Sequence, residues 1–318
     1  MPEPGDRQSG VRFTLRQLEY FVAVAEAGTV TAAAERVHLS QSAMSTALGD
    51  LERAFGVQLL VRHHARGVTL TTSGEELLVS ARELLRQADD LDSSAHALGE
   101  GLAGRLTVGC FAILAPYVVP PMVAAVEKEL PGLELDPVEE ALDALDKGLS
   151  DGRFELAVTY DLGLSDSIER AELFSIRPHA LFAATHPLAA ADSVSLAELA
   201  DEPFVLLDLP HSRDYFRAAF TSAGVQPRIR YRTRSTETAR GLVGRGLGWS
   251  LLNLRPTTSQ SVEGRRVVTK ELTDPVPALT VVLAKRRGAR LTKRAAAVEA
   301  VATRVLSRHQ LGANGGSA

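Results

Sequence analysis

The sequence predicts an α+β protein of several domains, with a small, mainly helical N-terminal domain, a long linker helix and a two-lobed α/β domain. Three patterns in its 318 residues support this fold: apolar residues at helical spacing in residues 15–51, leucine at every seventh position from 77 to 98, and alternating strand and helix patterns after residue 104. A chain of this length forms two or three domains. Its 45% hydrophobic and 23% charged residues are typical of globular proteins and exclude a mainly disordered chain.

Three helices are predicted in residues 13–71. The first runs from Leu15 to about Gly28, a residue that adopts the left-handed capping conformation without strain. The second, shorter helix begins near Val30. The third follows Ser40, which can cap it, and its apolar residues again recur at helical spacing.

The third helix has a second face of small and hydroxyl-bearing side chains. This face carries Ser42, Ser45, Thr46 and Gly49, with Gln41 at the leading end. A glycine inside a helix costs about 1 kcal/mol relative to alanine, so either a close approach by a partner or tight packing is expected to compensate. A small contact between two helices of the same chain is the alternative interpretation.

Two short strands are predicted at residues 58–62 and 68–71, on either side of a basic turn. Residues 30–49 are predicted to form two helices joined by a tight turn, which is a helix-turn-helix. Together with the hairpin that follows, this pattern predicts an all-α winged helix-turn-helix domain, whose third helix enters the DNA major groove. The candidates for base edges and nearby phosphates are Gln41, Ser42, Ser45 and Thr46, and those for the backbone or minor groove are Arg36, Arg62, His63, His64 and Arg66. Arg36 has an alternative role in a surface ion pair with Glu35 or Glu52.

A long linker helix is predicted over residues 72–99. Thr72 and Glu75 have the spacing of a capping box at its start. The residues of its apolar row alternate in steps of four and three: Leu77, Ala81, Leu84, Ala88, Leu91, Ala95 and Leu98. This spacing is typical of a coiled-coil seam that dimerises two chains. An amphipathic helix packed on its own domain is the alternative.

Residues 104–310 are predicted to form the two-lobed α/β domain. Strand patterns occur at residues 106–110, 133–138, 154–160, 180–184, 204–207, 229–233, 249–252 and 280–284. About eight strands in some 210 residues fit two small, mostly parallel sheets with a cleft between them. The first lobe is assigned to about 104–170 and 278–310, the second to about 171–277, and tails to 1–12 and 311–318.

The segment from Leu15 to Thr72 resembles the DNA-binding domain of LysR-type transcriptional regulators. The resemblance rests on residues 15–26, 30–45 and 55–60, followed by Arg62, Arg66 and Gly74 at family positions. It implies a sequence-specific regulator with a dimerising linker helix and an effector domain similar to periplasmic binding proteins. The family commonly has proline at the position of Ser42 and a basic residue at that of Thr46, so base choice and affinity are expected to differ here.

The resemblance implies binding to double-stranded promoter DNA, modulated by a small-molecule effector. The further partners it implies are a second copy of the chain, in a dimer or tetramer, and RNA polymerase. The whole chain has a net charge of −4, and residues 13–71 hold five arginines and five acids. Single-domain binding to DNA is therefore expected to be weak, so an oligomer would have to supply avidity.

The effector is expected where strands of the α/β domain end and helices begin, because free helix N–H groups there attract anions. The candidates are Cys110, Phe111, Tyr160, Ser212, Arg213 and Thr236. Hydroxyl groups with an arginine favour an anionic effector such as a carboxylate or phosphate. Ser212 and Thr236 could instead be helix caps, and Arg213 could be part of a surface ion pair.

The chain has one cysteine, Cys110, so it forms no internal disulfide, and a cytoplasmic location without membrane spans is expected. No catalytic residue, metal site or cofactor is expected, because the sequence has no G-x-S-x-G elbow, paired-histidine motif or Walker loop. Three alternatives remain: an enzyme fused to a DNA-binding domain, an architectural DNA binder without a ligand, and a regulator whose signal is oxidation of Cys110.

Overall fold

The computed structural model describes residues 12–63, 67–96 and 102–307, with side chains of the linker helix described up to Leu91. The chain divides into two compact units, Met1–Gly101 with Ser150–Arg153 and Leu102–Leu149 with Phe154–Ala318. Several predictions lie outside the described residues: both tails, the DNA contacts of His64 and Arg66, and the seam positions of Leu98 and of the Ala95 side chain.

The first unit contains the predicted helices and hairpin. Its elements are α1 (Leu15–Ala27), α2 (Val30–Arg36), α3 (Gln41–Phe55), β1 (Leu60–His63), β2 (Gly67–Leu70) and α4 (Thr72–His96). The hydroxyl groups of Thr14, Thr29 and Ser40 each accept a backbone hydrogen bond that starts one of the first three helices. Gly28 ends α1 with φ of 69°, as predicted.

The cap of α4 differs from the prediction by one residue. Thr71 rather than Thr72 caps the helix, because its hydroxyl oxygen accepts a hydrogen bond from the Gly74 N–H at 3.0 Å. The same hydroxyl donates to the Gln58 carbonyl at 2.7 Å, so one side chain joins the hairpin to the helix. A Cβ at Gly74 would collide with the Leu59 carbonyl, which explains why glycine is required there.

The core of the first unit includes the start of α4. Its fully buried side chains come from α1, α2, α3, the hairpin and α4: Leu18, Phe21, Val24, Ala33, Met44, Leu48, Leu51, Leu59 and Ala81. Ala81, which the heptad pattern placed in the dimer seam, is therefore used inside its own domain. Leu84 and Leu91, further along, are 37% and 73% exposed.

The first sheet of the second unit has the strand order β4-β3-β5-β13-β6. Its strands are β3 (Ala103–Phe111), β4 (Gly132–Glu140), β5 (Leu156–Tyr160), β6 (Ile168–Ile176) and β13 (Leu279–Arg286), and the helices around it are α5 (Ala115–Glu129), α6 (Leu142–Ser150) and α9 (Lys293–Leu306). Strands β4, β3 and β5 are parallel, whereas β13 runs antiparallel to both its neighbours.

The second sheet has the order β10-β9-β11-β7-β12-β8. Its strands are β7 (His179–Ala183), β8 (Ser193–Val194), β9 (Pro203–Leu207), β10 (Arg228–Thr233), β11 (Trp249–Leu252) and β12 (Val267–Leu272), with α7 (Ser212–Ser222) and α8 (Thr236–Gly244) on its faces. Strands β10, β9 and β11 are parallel. In each sheet, the parallel strands end where a following loop or helix can line a site.

The two-lobed fold is confirmed, with three corrections. Strands β6, β8 and β12 were not predicted, because they lie at or near sheet edges and carry polar residues. Antiparallel pairs make both sheets mixed rather than mostly parallel. The proposed lobe boundary at about residue 170 falls within β6, so the chain leaves the first sheet only after Ile176. Among the described helices, none is both long and apolar enough to cross a bilayer.

Candidate functional site

The exposed face of α3 carries the predicted DNA-reading residues. Met44, Leu48 and Leu51 are buried in the core, and this orients the opposite face outward. Three of the predicted side chains, Gln41, Ser42 and Thr46, are exposed, and Ser45 is half-buried on the same face. The structure thus brings all four together at the start of one helix.

The hydroxyl groups of this face already have local partners. Thr46 donates to the Ser42 carbonyl at 3.0 Å, and the hydroxyls of Ser42 and Ser40 are hydrogen-bonded at 3.1 Å. A hydroxyl whose hydrogen is committed still has lone pairs that accept. Thr46 is therefore suited to accept from a base amino group, such as that of adenine or cytosine, while the Gln41 amide both donates and accepts.

Gly49 lies on the same face, and no atom would come within 4 Å of a Cβ built at this position. Of the two explanations for a glycine within this helix, tight packing by the described chain is therefore excluded. The remaining explanation for Gly49 is that a binding partner approaches this face closely.

The basic candidates have different surroundings. Arg36 forms an ion pair with Glu26 at 3.2 Å, and not with Glu35 or Glu52 as the alternative interpretation had it. His63, on the hairpin, hydrogen-bonds the Thr69 hydroxyl at 2.9 Å. Arg62 is exposed and has no charged or hydrogen-bonding partner among the described residues, so it is available to a phosphate.

A small cavity lies in the second unit at the carboxyl ends of β5, β9 and β11, beside the first residues of α7 and α8. Its lining residues are Ile113, Tyr160, Leu207, Ser212, Phe216, Thr236, Leu252, Asn253 and Leu254. Three of the six predicted effector residues, Tyr160, Ser212 and Thr236, are thus together. The cavity volume is about 20 Å³, which is room for about one water molecule. We call it the inner cavity.

No charged side chain lines the inner cavity in the described chain. Burial raises the pKa of the Tyr160 phenol, which therefore stays neutral. The Asn253 Oδ1 atom is buried and has no hydrogen-bond partner within the described ranges, so it is an acceptor available to a ligand. Asn253 was not predicted, because an asparagine directly after a strand is an ordinary loop residue.

The alternative interpretation of Ser212 and Thr236 as helix caps is not observed. Ser235 caps α8, since its hydroxyl accepts from the Thr238 N–H at 3.3 Å. The N-cap position of α7 is His211, which makes no capping bond. The hydroxyls of Ser212 and Thr236 are therefore not used to start their helices.

Phe111 and Cys110 do not line the inner cavity. Phe111 packs its ring against Tyr160 with centroids 5.4 Å apart. Cys110 is fully buried in the core around the first sheet. Burial, reinforced by the charge of Glu139, raises the pKa of its thiol to about 12, so the thiol is not activated for oxidation.

Arg213 does not join the other effector candidates. It forms ion pairs with Asp208 at 3.4 Å and Asp214 at 3.5 Å, and it lines a different cavity on the other side of α7. Successive residues of a helix are about 100° apart, so Ser212 and Arg213 point to different surroundings. Arg213 is therefore part of a surface ion pair, as the alternative interpretation had it. The inner cavity has no arginine that would bind an anionic effector.

His179 is a buried titratable residue that the sequence analysis did not select. It lies on β7 opposite Leu252, a residue of the inner cavity. Burial first, and then the charges of Arg255 and Arg240, lower its pKa to about 3. Its ring is therefore neutral at physiological pH, and both ring nitrogens lack a hydrogen-bond partner within the described residues.

The two lobes meet at His211. Its Nε2 is 2.6 Å from Oδ1 of Asp143 on α6, and its ring packs so closely on Gly163 that a Cβ there would collide with it. His211 has φ of 61°, a region that residues other than glycine rarely adopt. The Tyr215 hydroxyl donates to the Pro277 carbonyl at 2.6 Å, on the segment that leads from β12 back to the first sheet. The described residues contain no cluster of three or more potential metal ligands.

Comparison with known proteins gives two family matches that together cover most of the chain. Residues 15–75 match the bacterial regulatory helix-turn-helix protein model of the lysR family, and residues 99–307 match the LysR substrate binding domain.

Two curated relatives and one solved structure illustrate the similarity. The uncharacterized regulator YnfL of Escherichia coli K12 is 34% identical over 244 residues, which are 75% of this chain and 81% of that protein. The hydrogen peroxide-inducible genes activator of Pectobacterium carotovorum is 31% identical over 283 residues, 88% and 92% of the two chains. The structure of HinK, a LysR family regulator of Pseudomonas aeruginosa, is 36% identical, with a TM-score of 0.63 over 93% of this chain and 99% of that one.

Strain at His211 is testable by comparing two truncations. Both His211→Ala and His211→Gly remove the contact with Asp143, but only glycine adopts the positive φ without strain. We expect the alanine variant to unfold at the lower temperature, with a difference of about 1 kcal/mol in the free energy of unfolding. Thermal unfolding of both full chains measures this. Because glycine in an unstrained loop is normally the more destabilising of the two, the reverse order would contradict the assignment.

Cys110 is expected to react slowly with a thiol-specific reagent. The thiolate is the reactive form, and a pKa of about 12 leaves roughly one thiol in 100,000 ionised at pH 7. Labelling of the folded chain at pH 7 should therefore be far slower than labelling in denaturant, and it should accelerate as the pH rises toward 12. Cys110→Ala provides the blank. Labelling at the same rate with and without denaturant would show that the thiol is accessible and reactive.

Proposed function

The chain belongs to the LysR family and is a DNA-binding transcriptional regulator with an effector-binding domain, and we propose that the exposed face of α3 reads promoter DNA while a small, uncharged effector in the inner cavity controls the regulator. The observation that carries the DNA assignment is the uncovered face of Gln41, Ser42 and Thr46 with open space at Gly49. A helix that lies in the major groove needs short side chains where it comes close to the bases.

The hairpin and α2 supply backbone contacts in this proposal. Arg62 is the strongest candidate, since it is exposed and has no partner in the described ranges. His63 and Arg36 are available after exchanging their present partners, Thr69 and Glu26. Phosphate contacts of this kind set the position of the protein on the duplex, while the α3 residues provide specificity.

The inner cavity supports the effector assignment through its place and its chemistry. It lies at the carboxyl ends of parallel strands, where open α/β sheets bind ligands. Its polar groups are two hydroxyls, a neutral phenol and an amide, with apolar side chains around them. We therefore propose an effector that is largely apolar and donates a hydrogen bond to the Asn253 oxygen, instead of the anion that the sequence favoured.

Self-association is proposed through the outer part of α4. Leu84 and Leu91 are exposed apolar side chains seven residues apart, and Ala88 lies between them. Leu77 and Ala81 contribute to the domain core instead, so the proposed seam begins at Leu84. RNA polymerase is a proposed partner of the DNA-bound oligomer, and the proposed location is the cytoplasm, where bacterial promoters are.

Oxidation of Cys110 is the second candidate input, because several relatives are named as hydrogen peroxide-inducible activators. The raised pKa and full burial of Cys110 argue against it, and this chain has no second cysteine with which to form an internal disulfide. We therefore propose ligand binding, and not thiol oxidation, as the input.

The DNA assignment predicts that Ser45→Ala combined with Thr46→Ala weakens binding to the promoter. Loss of two hydrogen-bonding hydroxyls should lower affinity about tenfold for DNA from upstream of the protein's own gene. Fluorescence anisotropy with labelled DNA measures the affinity. Ser80→Ala, which removes an exposed hydroxyl from α4, is the matched control and should bind like the unaltered chain. Equal affinity of the double variant and this control would place the reading face elsewhere.

The seam predicts that Leu84→Glu disrupts self-association. A carboxylate in an apolar seam must be desolvated without a partner, so the dimer should dissociate at least about tenfold more readily. Sedimentation velocity measures the mass of the assembly. Thr72→Glu adds the same charge at an exposed position of α4 before the proposed seam begins, and it should leave the mass unchanged. An unaltered sedimentation coefficient for Leu84→Glu would reject the seam.

A further inference from the structure

His179 is a buried polar side chain that neither the DNA assignment nor the effector assignment uses. It begins β7 and is fully buried, and neither of its ring nitrogens has a hydrogen-bond partner in the described chain. A neutral imidazole has one N–H that donates and one nitrogen that accepts. Burying both without a partner costs stability, and an apolar side chain of similar size would avoid that cost. Core packing therefore does not explain a histidine at this position.

His179 lies beside the inner cavity, on the face of the second sheet that packs against α8. It is paired with Leu252 of β11, and such partners extend from the same face with their Cβ atoms about 5 Å apart. Because residues alternate along a strand, His179 shares its face with Leu181. Leu181 belongs to the same buried cluster as Leu207 and Leu252, and these two leucines line the inner cavity. His179 is therefore next to the cavity wall at Leu252.

Helix α8 connects His179 to the inner cavity from a second side. Thr236 lines the cavity at the first residue of α8, and Arg240 follows one turn later on the same side of the helix. Arg240 and Arg255 lie near His179, and their charges contribute to its lowered pKa. Arg240 is paired with a carboxylate of its own helix, and Arg255 with one of β12. The two arginines thus help to keep the imidazole neutral and leave its nitrogens unused.

Asn253 supplies a third unpartnered polar atom beside this position. It follows Leu252 directly in the chain, lines the inner cavity, and has a buried Oδ1 that accepts no hydrogen bond within the described ranges. The amide oxygen needs a donor, and the His179 N–H needs an acceptor. A ligand group that satisfies both must therefore donate and accept.

The volume of the inner cavity favours one group that does both. It is about 20 Å³, which is room for about one water molecule. A hydroxyl donates and accepts through a single oxygen, as water does, whereas an amide needs two separate atoms for the same two bonds. Ethers and carboxylates only accept, and an ammonium group only donates.

We propose that His179 determines the specificity of the effector site by selecting an uncharged, mostly apolar molecule that carries a hydroxyl group, an alcohol or a phenol. The hydroxyl donates to the Asn253 Oδ1 and accepts from the His179 N–H, and the apolar body lies against the leucines of the lining. This inference rests on the proposed effector role of the inner cavity. It adds the polar group that the effector carries and the residue that recognises it.

Phenol is the probe, and isothermal titration calorimetry on the full chain measures its binding. Anisole has the same ring with a methyl ether in place of the hydroxyl, so it accepts without donating. We expect phenol to bind saturably, with one molecule per chain, and anisole to bind at least about tenfold more weakly. Benzoate should bind more weakly than phenol, because its charge would be buried without a cation.

Variants of two histidines assign the recognition of the hydroxyl. His179→Leu removes both ring nitrogens and should weaken phenol binding at least about tenfold. His179→Gln keeps a donor and an acceptor and should retain most of the affinity. His186→Leu is the matched control, since it removes an imidazole elsewhere in the second lobe, and it should alter the affinity by less than about twofold.

Two further measurements separate recognition from a structural role. Because both ring nitrogens are unpartnered, His179→Leu should unfold at the same temperature as the unaltered chain or at a higher one. A histidine that stabilises the fold through hydrogen bonds would give a lower temperature. In the unaltered chain, phenol should also shift the imidazole nitrogen NMR signals of one histidine, the one whose signals are missing from His179→Gln.

Failure of this inference and failure of the proposed effector position give different results. Thr236→Phe narrows the inner cavity and should abolish phenol binding, so unchanged binding to this variant would place the ligand elsewhere. Loss of binding in Thr236→Phe with full affinity in His179→Leu would leave the effector position intact and overturn the role of His179. Equal affinities for phenol and anisole, or no saturable binding of phenol, would overturn the selection of a hydroxyl group.

Discussion

Burial of Phe216 holds helix α7 against the second sheet, and both cavities of the second unit depend on this contact. The ring lines each cavity, and Ala219 and Phe220 continue the same buried face. With this face set, the helix turns Ser212 inward and Arg213 outward. The inner cavity is therefore uncharged because of the rotation of one helix, although an arginine stands next to one of its lining residues in the sequence.

An equivalent constraint acts in the first unit, where burial of Met44, Leu48 and Leu51 turns the polar face of α3 outward. The hairpin is attached to the rest of the first unit by backbone contacts that leave no room for a side chain. The Val68 N–H donates to the Gly28 carbonyl at 2.7 Å, and a Cβ at Gly67 would collide with that carbonyl. Arg62 on the hairpin is thus held by the same rigid body that orients α3, as joint recognition of phosphates and bases requires.

Local patterns predicted most of the fold, because periodic apolar residues and capping hydroxyls act within a few positions of the chain. Helix α3 after Ser40 and the end of α1 at Gly28 are examples. Edge strand β6 was missed because its exposed positions carry charges, such as Glu169 and Glu172, which hide its alternation. The α3 face could be predicted because it belongs to one helix. The inner cavity could be predicted only in part, since Asn253 and Arg213 acquire their surroundings from how distant segments pack.

An effector shifts the lobes only to the extent that its affinity differs between two arrangements. The inner cavity has a volume of about 20 Å³, so an effector of metabolite size requires a wider cavity than this arrangement provides. The His211–Asp143 contact joins the two lobes next to Ser212 of the cavity lining, and His211 makes it with a φ of 61°, a region that residues other than glycine rarely adopt. Because the Asp143 side chain is 71% exposed, solvent screens this contact and it contributes little to the preference for one arrangement. At this position, an effector that binds better to a wider cavity therefore has only a weakly held contact to break.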